Sequence, residues 1–347
     1  MKKNIWLNLL SILSISVISF LVSCHDQEEF DNDPYGNFDA VWTIVDQHYC
    51  FFKYKDIDWD AIGKEYRAKI RPNMNNDALF SLCADMLKEL KDGHTNLISS
   101  SDISRYWIWE GYPKNYDARV IDQYYLNFNY KMSSGMKYQI LSNNFGYLYY
   151  GDFENRIGDG NLDEVLAYLA SSDGLIIDVR NNGGGLLTNV ETLVKRFITG
   201  RIHAGAISHK TGPGHNDFSD PYEYYFDPAP SNRIKYLKPI VVLTNRSSFS
   251  ATNNFASIMQ FISNVKIVGD TTGGGSGLPF TYDTPNGWNV RLSASSITDQ
   301  KGAITEFGVA PSPGCEVNMT PEEIAIGKDA ILERAFQELT KMNGAKR

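Results

Sequence analysis

The sequence predicts an α/β protein in which a small helical N-terminal domain precedes a larger β/α core. Three observations carry this. Apolar residues recur at helical spacing through residues 37–90, and beyond His94 short Val/Ile/Leu runs alternate with helical segments. The 347 residues are enough to bury a large core as one large domain or two smaller ones.

The N-terminus reads as a secretory leader. Lys2 and Lys3 precede an apolar run over residues 5–22, the layout of a signal peptide. The run ends in Leu21-Val22-Ser23-Cys24, which resembles a bacterial lipobox and makes Cys24 the lipidated first residue of the mature chain. The alternative is an uncleaved membrane anchor. Either way the globular part is expected in the cell envelope, tethered to a membrane on its periplasmic or outer surface. Residues 1–24 are then the leader, 25–36 an acidic tether, 37–100 the helical domain and 101–340 the core domain.

In the helical domain, Phe38, Val41, Trp42, Val45 and Tyr49 share one helical face. Residues 60–70 form a second helix that Arg71-Pro72 stops. Leu79, Leu82, Cys83, Met86, Leu87 and Leu90 mark a third, capped at Asn76 or Asp77. In the core, residues 138–141, 147–150, 175–179, 241–243 and 265–268 read as strands. Helices follow around Leu162–Leu169, residues 187–198 and after Ser250, and residues 281–290 form a hairpin turning at Asn286-Gly287. Strands alternating with helices imply a largely parallel sheet. Residues 211–236, rich in Gly, Pro, Asp and Tyr, are a long connection of the kind that forms functional loops.

A formal charge of −8 with no Lys/Arg cluster excludes a nucleic-acid footprint. Charged residues at 21% and aromatics at 13% describe a globular chain rather than a disordered one. Without Cys24, three cysteines remain, too few for a disulfide framework and at no zinc spacing; Cys50 and Cys83 fall on apolar faces. No metal and no cofactor is assigned.

Three polar segments stand at element ends. Lys91-Asp92-Gly93-His94-Thr95-Asn96 follows the third helix. Asp178-Val179-Arg180-Asn181-Asn182-Gly183-Gly184-Gly185 closes a buried strand and opens a helix. Ser247-Ser248-Phe249-Ser250-Ala251 does the same after the run Val241-Val242-Leu243. A serine where a strand becomes a helix lies close to unpaired backbone N–H groups that can hold a developing oxyanion. The same serine can simply cap the helix. The glycine triplet is either a tight turn or a source of N–H groups for an anion. His94 sits on a tight polar turn, where a base or a structural histidine would both fit.

Taken in order, Asp-Gly-His-Thr, Arg-Asn-Asn-x-Gly-Gly and Ser-x-Ser-Ala ahead of an amphipathic helix resemble peptidase family S41, the tail-specific, C-terminal-processing and tricorn-core proteases. The resemblance extends over residues 38–317. It implies a crotonase/ClpP-like β/α superhelix behind a helical N-terminal domain, and a serine endopeptidase acting on polypeptide. In the C-terminal-processing branch a lysine downstream of the nucleophile is the base; here that position falls on Gly273-Gly274-Gly275-Ser276-Gly277, which contains no lysine. The stretch between His94 and Phe145 is too short for the PDZ domain usual in that branch. The tricorn-like branch uses a histidine and a late glutamate, which match His94 and Glu306.

The resemblance therefore implies Ser250 as nucleophile, His94 as base, Glu306 as the group orienting it, and the amides of Gly184 and Ala251 as oxyanion donors, each worth roughly 3 kcal/mol of barrier. Asp178 and Arg180 are expected to hold the glycine loop. The chain departs from the family at Gly93 (often serine), Gly183 (often proline) and Asn253 (commonly glutamate), which bears on how the base is tuned. Partners are then a polypeptide substrate and, through Cys24, a membrane; oligomerisation is left open. Two other readings stand beside it. One is a catalytically silent ligand- or peptide-binding protein on the same fold. The other is an esterase or amidase, disfavoured because Ser250 lacks the G-x-S-x-G elbow.

Overall fold

The computed structural model describes residues 29–107 and 110–345. The leader and Cys24 lie outside them. Helix α1 (Pro34–His48) begins inside the stretch expected as tether, because Asp33 Oδ1 accepts hydrogen bonds from the amides of Tyr35 (2.9 Å) and Gly36 (2.8 Å), with Pro34 opening the first turn. Helix α2 (Trp59–Arg67) is capped by Asp58. Helix α3 (Asn76–Lys88) is capped by Asn75, one residue earlier than the pattern implied.

The core is built on two sheets. The six-stranded sheet runs β2 (Lys131–Ser133), β3 (Met136–Ile140), β4 (Gly146–Tyr150), β5 (Leu175–Asp178), β8 (Ile240–Thr244), β9 (Val265–Gly269). The pairs β4–β5, β5–β8 and β8–β9 are parallel, while β2–β3 and β3–β4 are antiparallel. Both faces are covered, so its central strands are continuous apolar runs rather than alternating ones. One face (Leu148, Ile177, Val242, Ile267) packs on α4 (Asp159–Leu169), α5 (Leu187–Val194) and α6 (Ala251–Met259). The opposite face (Tyr147, Ile176, Val241, Val268) packs on the C-terminal helix α7 (Ala330–Gly344).

The second sheet is antiparallel, β1 (Asn96–Ile98), β11 (Asn289–Thr298), β6 (Ile202–His209), β7 (Tyr222–Phe226), with β10 (Gly277–Asp283) also paired to β11. This sheet corrects two expectations. The architecture is not largely one parallel sheet, and the long connection over residues 211–236 contains a strand, β7, whose Phe226 is buried and Tyr224 half-buried against the core while Tyr222 and Tyr225 are exposed. The expected hairpin is β10–β11, with Gly287 at φ 82° in its turn.

The helical domain does not stand apart. Phe38, Val41, Trp59, Leu79 and Leu87 share one core with Trp288 and with Val290, Leu292 and Ala294 of β11. The Cys50 amide donates to the Ser293 carbonyl (2.9 Å), locking residues 49–55 against the same strand. Cys50, Cys83 and Cys315 are buried thiols in no disulfide. No helix among the described residues is long and apolar enough to cross a membrane.

Candidate active site

The turns after β5 and β8 lie side by side because those strands are parallel neighbours, so their C-terminal ends open on one edge, where sites of open α/β sheets form. A cleft of about 520 Å³ opens there, lined among others by His94, Trp107, Gly184, Phe249, Ser250 and Pro279.

Ser250 is the N-cap residue of α6, but its side chain makes no capping hydrogen bond. Its backbone sits at φ 59°, ψ −120°, a conformation that costs an L-residue of order 1–3 kcal/mol and persists only where the surroundings enforce it. Here the Ser250 amide donates to the Gly274 carbonyl (2.9 Å) and the preceding Phe249 amide to Asn182 O (3.0 Å). The hydroxyl is thereby aimed at His94, with Oγ 3.0 Å from Nε2. Capping does not describe this serine.

His94 is held by its own backbone. Its amide donates to Asp92 Oδ1 (2.7 Å), and Arg291 Nη1 reaches the His94 carbonyl (3.4 Å) and Asn96 Oδ1 (3.2 Å). The ring packs on Phe249, centroids 4.7 Å apart. Burial lowers the imidazole to about 4, with Arg291 and Lys55 adding to the effect and Asp92 opposing it. At neutral pH the ring is therefore a free base. Its Nδ1 has no hydrogen-bond partner among the described residues.

Glu306 is buried in the same region, but its carboxylate faces other groups. Lys55 Nζ donates to Oε1 (3.0 Å) and the Ser276 amide to Oε2 (3.0 Å). Burial and the neighbouring Asp92 carboxylate push Glu306 up to about 8, against the pull of Lys55 and the Ser276 amide. Asp92 moves the other way: burial raises it, but Lys55, His94 and the backbone amide together bring it below the usual range. Of two carboxyls around one ammonium, Asp92 is the one that stays ionised.

The amide of Ala251 opens α6 directly beside Ser250. The amide of Gly184 is engaged elsewhere, donating to Asn182 Oδ1 (3.0 Å), which also accepts from Thr252 Oγ1 (2.6 Å). Gly184 itself is required: at φ 102° a Cβ would lie 2.7 Å from Ser250 Cβ and 2.7 Å from the Phe249 carbonyl.

The family departures have local causes. A Cβ on Gly93 would meet Phe249 Cζ at 2.9 Å, so glycine before the histidine makes room for the Phe249 ring. Asn253 donates to Thr305 O (3.1 Å) and Oγ1 (3.2 Å) and accepts from Thr272 Oγ1 (2.6 Å), tying α6 to the loop that carries Glu306. Gly183 has open space around it. Arg180 forms a buried two-pronged pair with Asp178 (2.8 and 2.6 Å) and a second with Asp329 (3.0 and 2.9 Å), as expected for a structural pair supporting the glycine loop. Sequence reasoning missed Lys55, Asn182 and Arg291. Asn182 at least lay within a motif, whereas a single lysine in Phe52-Lys53-Tyr54-Lys55-Asp56 carries no signal.

The model of peptidase family S41 matches residues 144–312, and that of the tricorn protease C1 domain matches residues 30–88, the stretch of α1–α3. A presumed peptidase from Parabacteroides merdae, known from a crystal structure, is 45% identical, with 89% of this chain and 97% of that chain covered and a TM-score of 0.84. The chain belongs to peptidase family S41. The carboxy-terminal processing protease CtpB of Bacillus subtilis (strain 168) is 28% identical over 141 residues, 40% of this chain and 27% of that protein, so the match spans about a quarter of the relative's length. Mature CPAF complexed with lactacystin shares the fold, at a TM-score of 0.68 and 12% identity over 90% of this chain and 99% of that one.

Proposed function

We propose that this S41 member is a serine endopeptidase that cleaves polypeptides outside the cytoplasm, anchored to a membrane through a lipid on Cys24. The observation that carries the reading is the 3.0 Å contact between Ser250 Oγ and a neutral His94 Nε2, made by a serine held at φ 59° instead of capping its helix. In this mechanism His94 takes the Ser250 proton as Oγ attacks the scissile carbonyl. Ala251 N–H receives the oxyanion, joined by Gly184 when its amide exchanges Asn182 for the substrate oxygen. His94 then protonates the leaving amine, and water hydrolyses the acyl-enzyme. Glu306, when ionised, stabilises the imidazolium that forms in each step, acting across the buried cluster. A relative named as a carboxy-terminal processing protease supports a polypeptide substrate.

The same site supports a second reading, a binding protein without turnover. It is favoured by the engaged Gly184 amide and by the absence of a Glu306–His94 hydrogen bond among the described residues. Labelling with a fluorophosphonate probe decides between them. An active site labels in the parent, does not label in Ser250→Ala, and labels at least about 1000-fold more slowly in His94→Ala. A folded parent that stays unlabelled establishes the binding reading.

A further inference from the structure

Lys55 belongs to the helical domain, yet its ammonium ends in the catalytic core. The segment that carries it leaves α1, is tied to β11 through Cys50, and closes a short turn over Phe52–Tyr54. From there Nζ donates to Tyr49 Oη (2.8 Å), Leu90 O (3.1 Å), Lys91 O (3.3 Å) and Glu306 Oε1 (3.0 Å), and lies 3.9 Å from Asp92 Oδ2. Its side chain is 7% exposed, that of Glu306 4% and that of Asp92 0%. A lysine so enclosed is costly unless paired and hydrogen-bonded, and each of its contacts is to a group that is itself fixed in place. Two of them, the carbonyls of Leu90 and Lys91, belong to the chain leading directly into Asp92 and His94.

We propose that Lys55 is a positioning residue for the Ser250–His94 pair: it is the cation that lets Glu306 be ionised beside Asp92, and it makes assembly of the site depend on the helical domain being docked. The inference rests on the peptidase reading above. The physical reason is the company Glu306 keeps. The titratable groups facing it are Asp92, Tyr49, Cys50 and Lys55, with His94 and Arg291 beyond Asp92. Of those that touch Glu306 or face it across the cluster, Lys55 alone donates a charge-assisted hydrogen bond to its carboxylate. Without that ammonium, two buried carboxyls would share the space, and one would keep its proton to higher pH.

The test compares the parent with Lys55→Met and Lys55→Arg in two measurements. The first is the rate of fluorophosphonate labelling of Ser250 from about pH 6 to about pH 10; the second is the carbon-13 NMR titration of the Glu306 carboxyl in a Ser250→Ala background. In Lys55→Met both the rising limb of the labelling profile and the Glu306 titration move upward by about 1–3 pH units. Lys55→Arg keeps both near the parent. Loss of stability alone would lower the rate at every pH and leave the limb in place. Lys55→Gln, which keeps polar contacts to Tyr49 and Leu90, carries the same test should the Met variant not fold. An unchanged Glu306 titration overturns the proposal, and so does a shifted titration with an unshifted labelling profile. If the parent itself fails to label, the peptidase reading falls, while the Glu306 titration still upholds or overturns the hold of Lys55 on Glu306.

Discussion

Glu306 and His94 leave opposite signatures in the pH dependence of stability. Glu306 titrates near 8 in the folded chain against an ordinary 4.5, so between those values the native state holds a proton that the unfolded chain has lost. Stability therefore falls as pH rises through that window. His94, lowered from 6.5 to about 4, is the reverse: the unfolded chain binds the extra proton, and stability rises with pH between about 4 and 6.5. The two offset each other at mildly acidic pH, and above it Glu306 acts alone. Urea unfolding is expected to show the parent losing about 1 kcal/mol between pH 6.5 and 8, and Glu306→Gln losing none of it. A parent whose stability stays level across that interval would mean that Glu306 is already ionised at pH 6.5. At the same scale, Phe249 shows how glycines on separate segments serve one ring. Gly93 leaves room for it, and a Cβ at Gly275 would lie 2.3 Å from Phe249 Cε2.

At the scale of elements, the site depends on how α7 is attached to the far face of the sheet. Asp329 caps α7 through the Leu332 amide (2.9 Å) and pairs with Arg180, which in turn grips Asp178 at the end of β5. Tyr147 Oη adds a hydrogen bond to Asp178 (2.8 Å), and the guanidinium lies over the Tyr116 ring. One buried arginine thus joins a helix cap, a strand end and the start of the glycine loop. Removing one partner of such a cluster leaves charge buried without compensation. Asp329→Ala is expected to lower stability by about 3–5 kcal/mol in chemical denaturation. A loss under about 1 kcal/mol would show that Asp178 alone satisfies Arg180 and that the link to α7 is dispensable.

At the scale of the whole molecule, the helical domain and the antiparallel sheet form one folding unit. The face of β11 that carries Val290, Leu292 and Ala294, with Trp288 just before it, is covered mainly by α1–α3 and the segment that follows α1, with Leu97 of β1 at its edge. A chain beginning after Leu90 would expose that face and lose Lys55 with it. Such a fragment is expected to aggregate or to bind a hydrophobic dye, and to fail to label at Ser250, as read by size-exclusion chromatography and probe labelling. A monomeric fragment that labels at the parent's rate would show that the β/α core folds and assembles its site alone. Division of the chain at residue 100 marks a change of local pattern rather than a boundary between independent bodies.

Much of this was legible in the sequence because it is local. Helical spacing located α1–α3 and α6, continuous apolar runs located β5, β8 and β9, and Asn286-Gly287 located the β10–β11 turn. Two of three short motifs brought Ser250 and His94 into one hypothesis, and the family resemblance that the motifs carry added Glu306. The second sheet was not legible, since β1, β6 and β7 are short or half-exposed and pair only with strands distant in the chain. Nor could the sequence say that Ser250 would refuse to cap its helix, because that follows from the carbonyl of Gly274 and the rings and amides around it. The protonation of Glu306, the engagement of the Gly184 amide by Asn182 and the reach of Lys55 into the core all depend on distance and burial. Residue identity and periodicity decide which elements form and which groups have catalytic chemistry to offer. Only packing decides which charges are desolvated and which partners they meet, and in this molecule that sets the state of the catalytic groups.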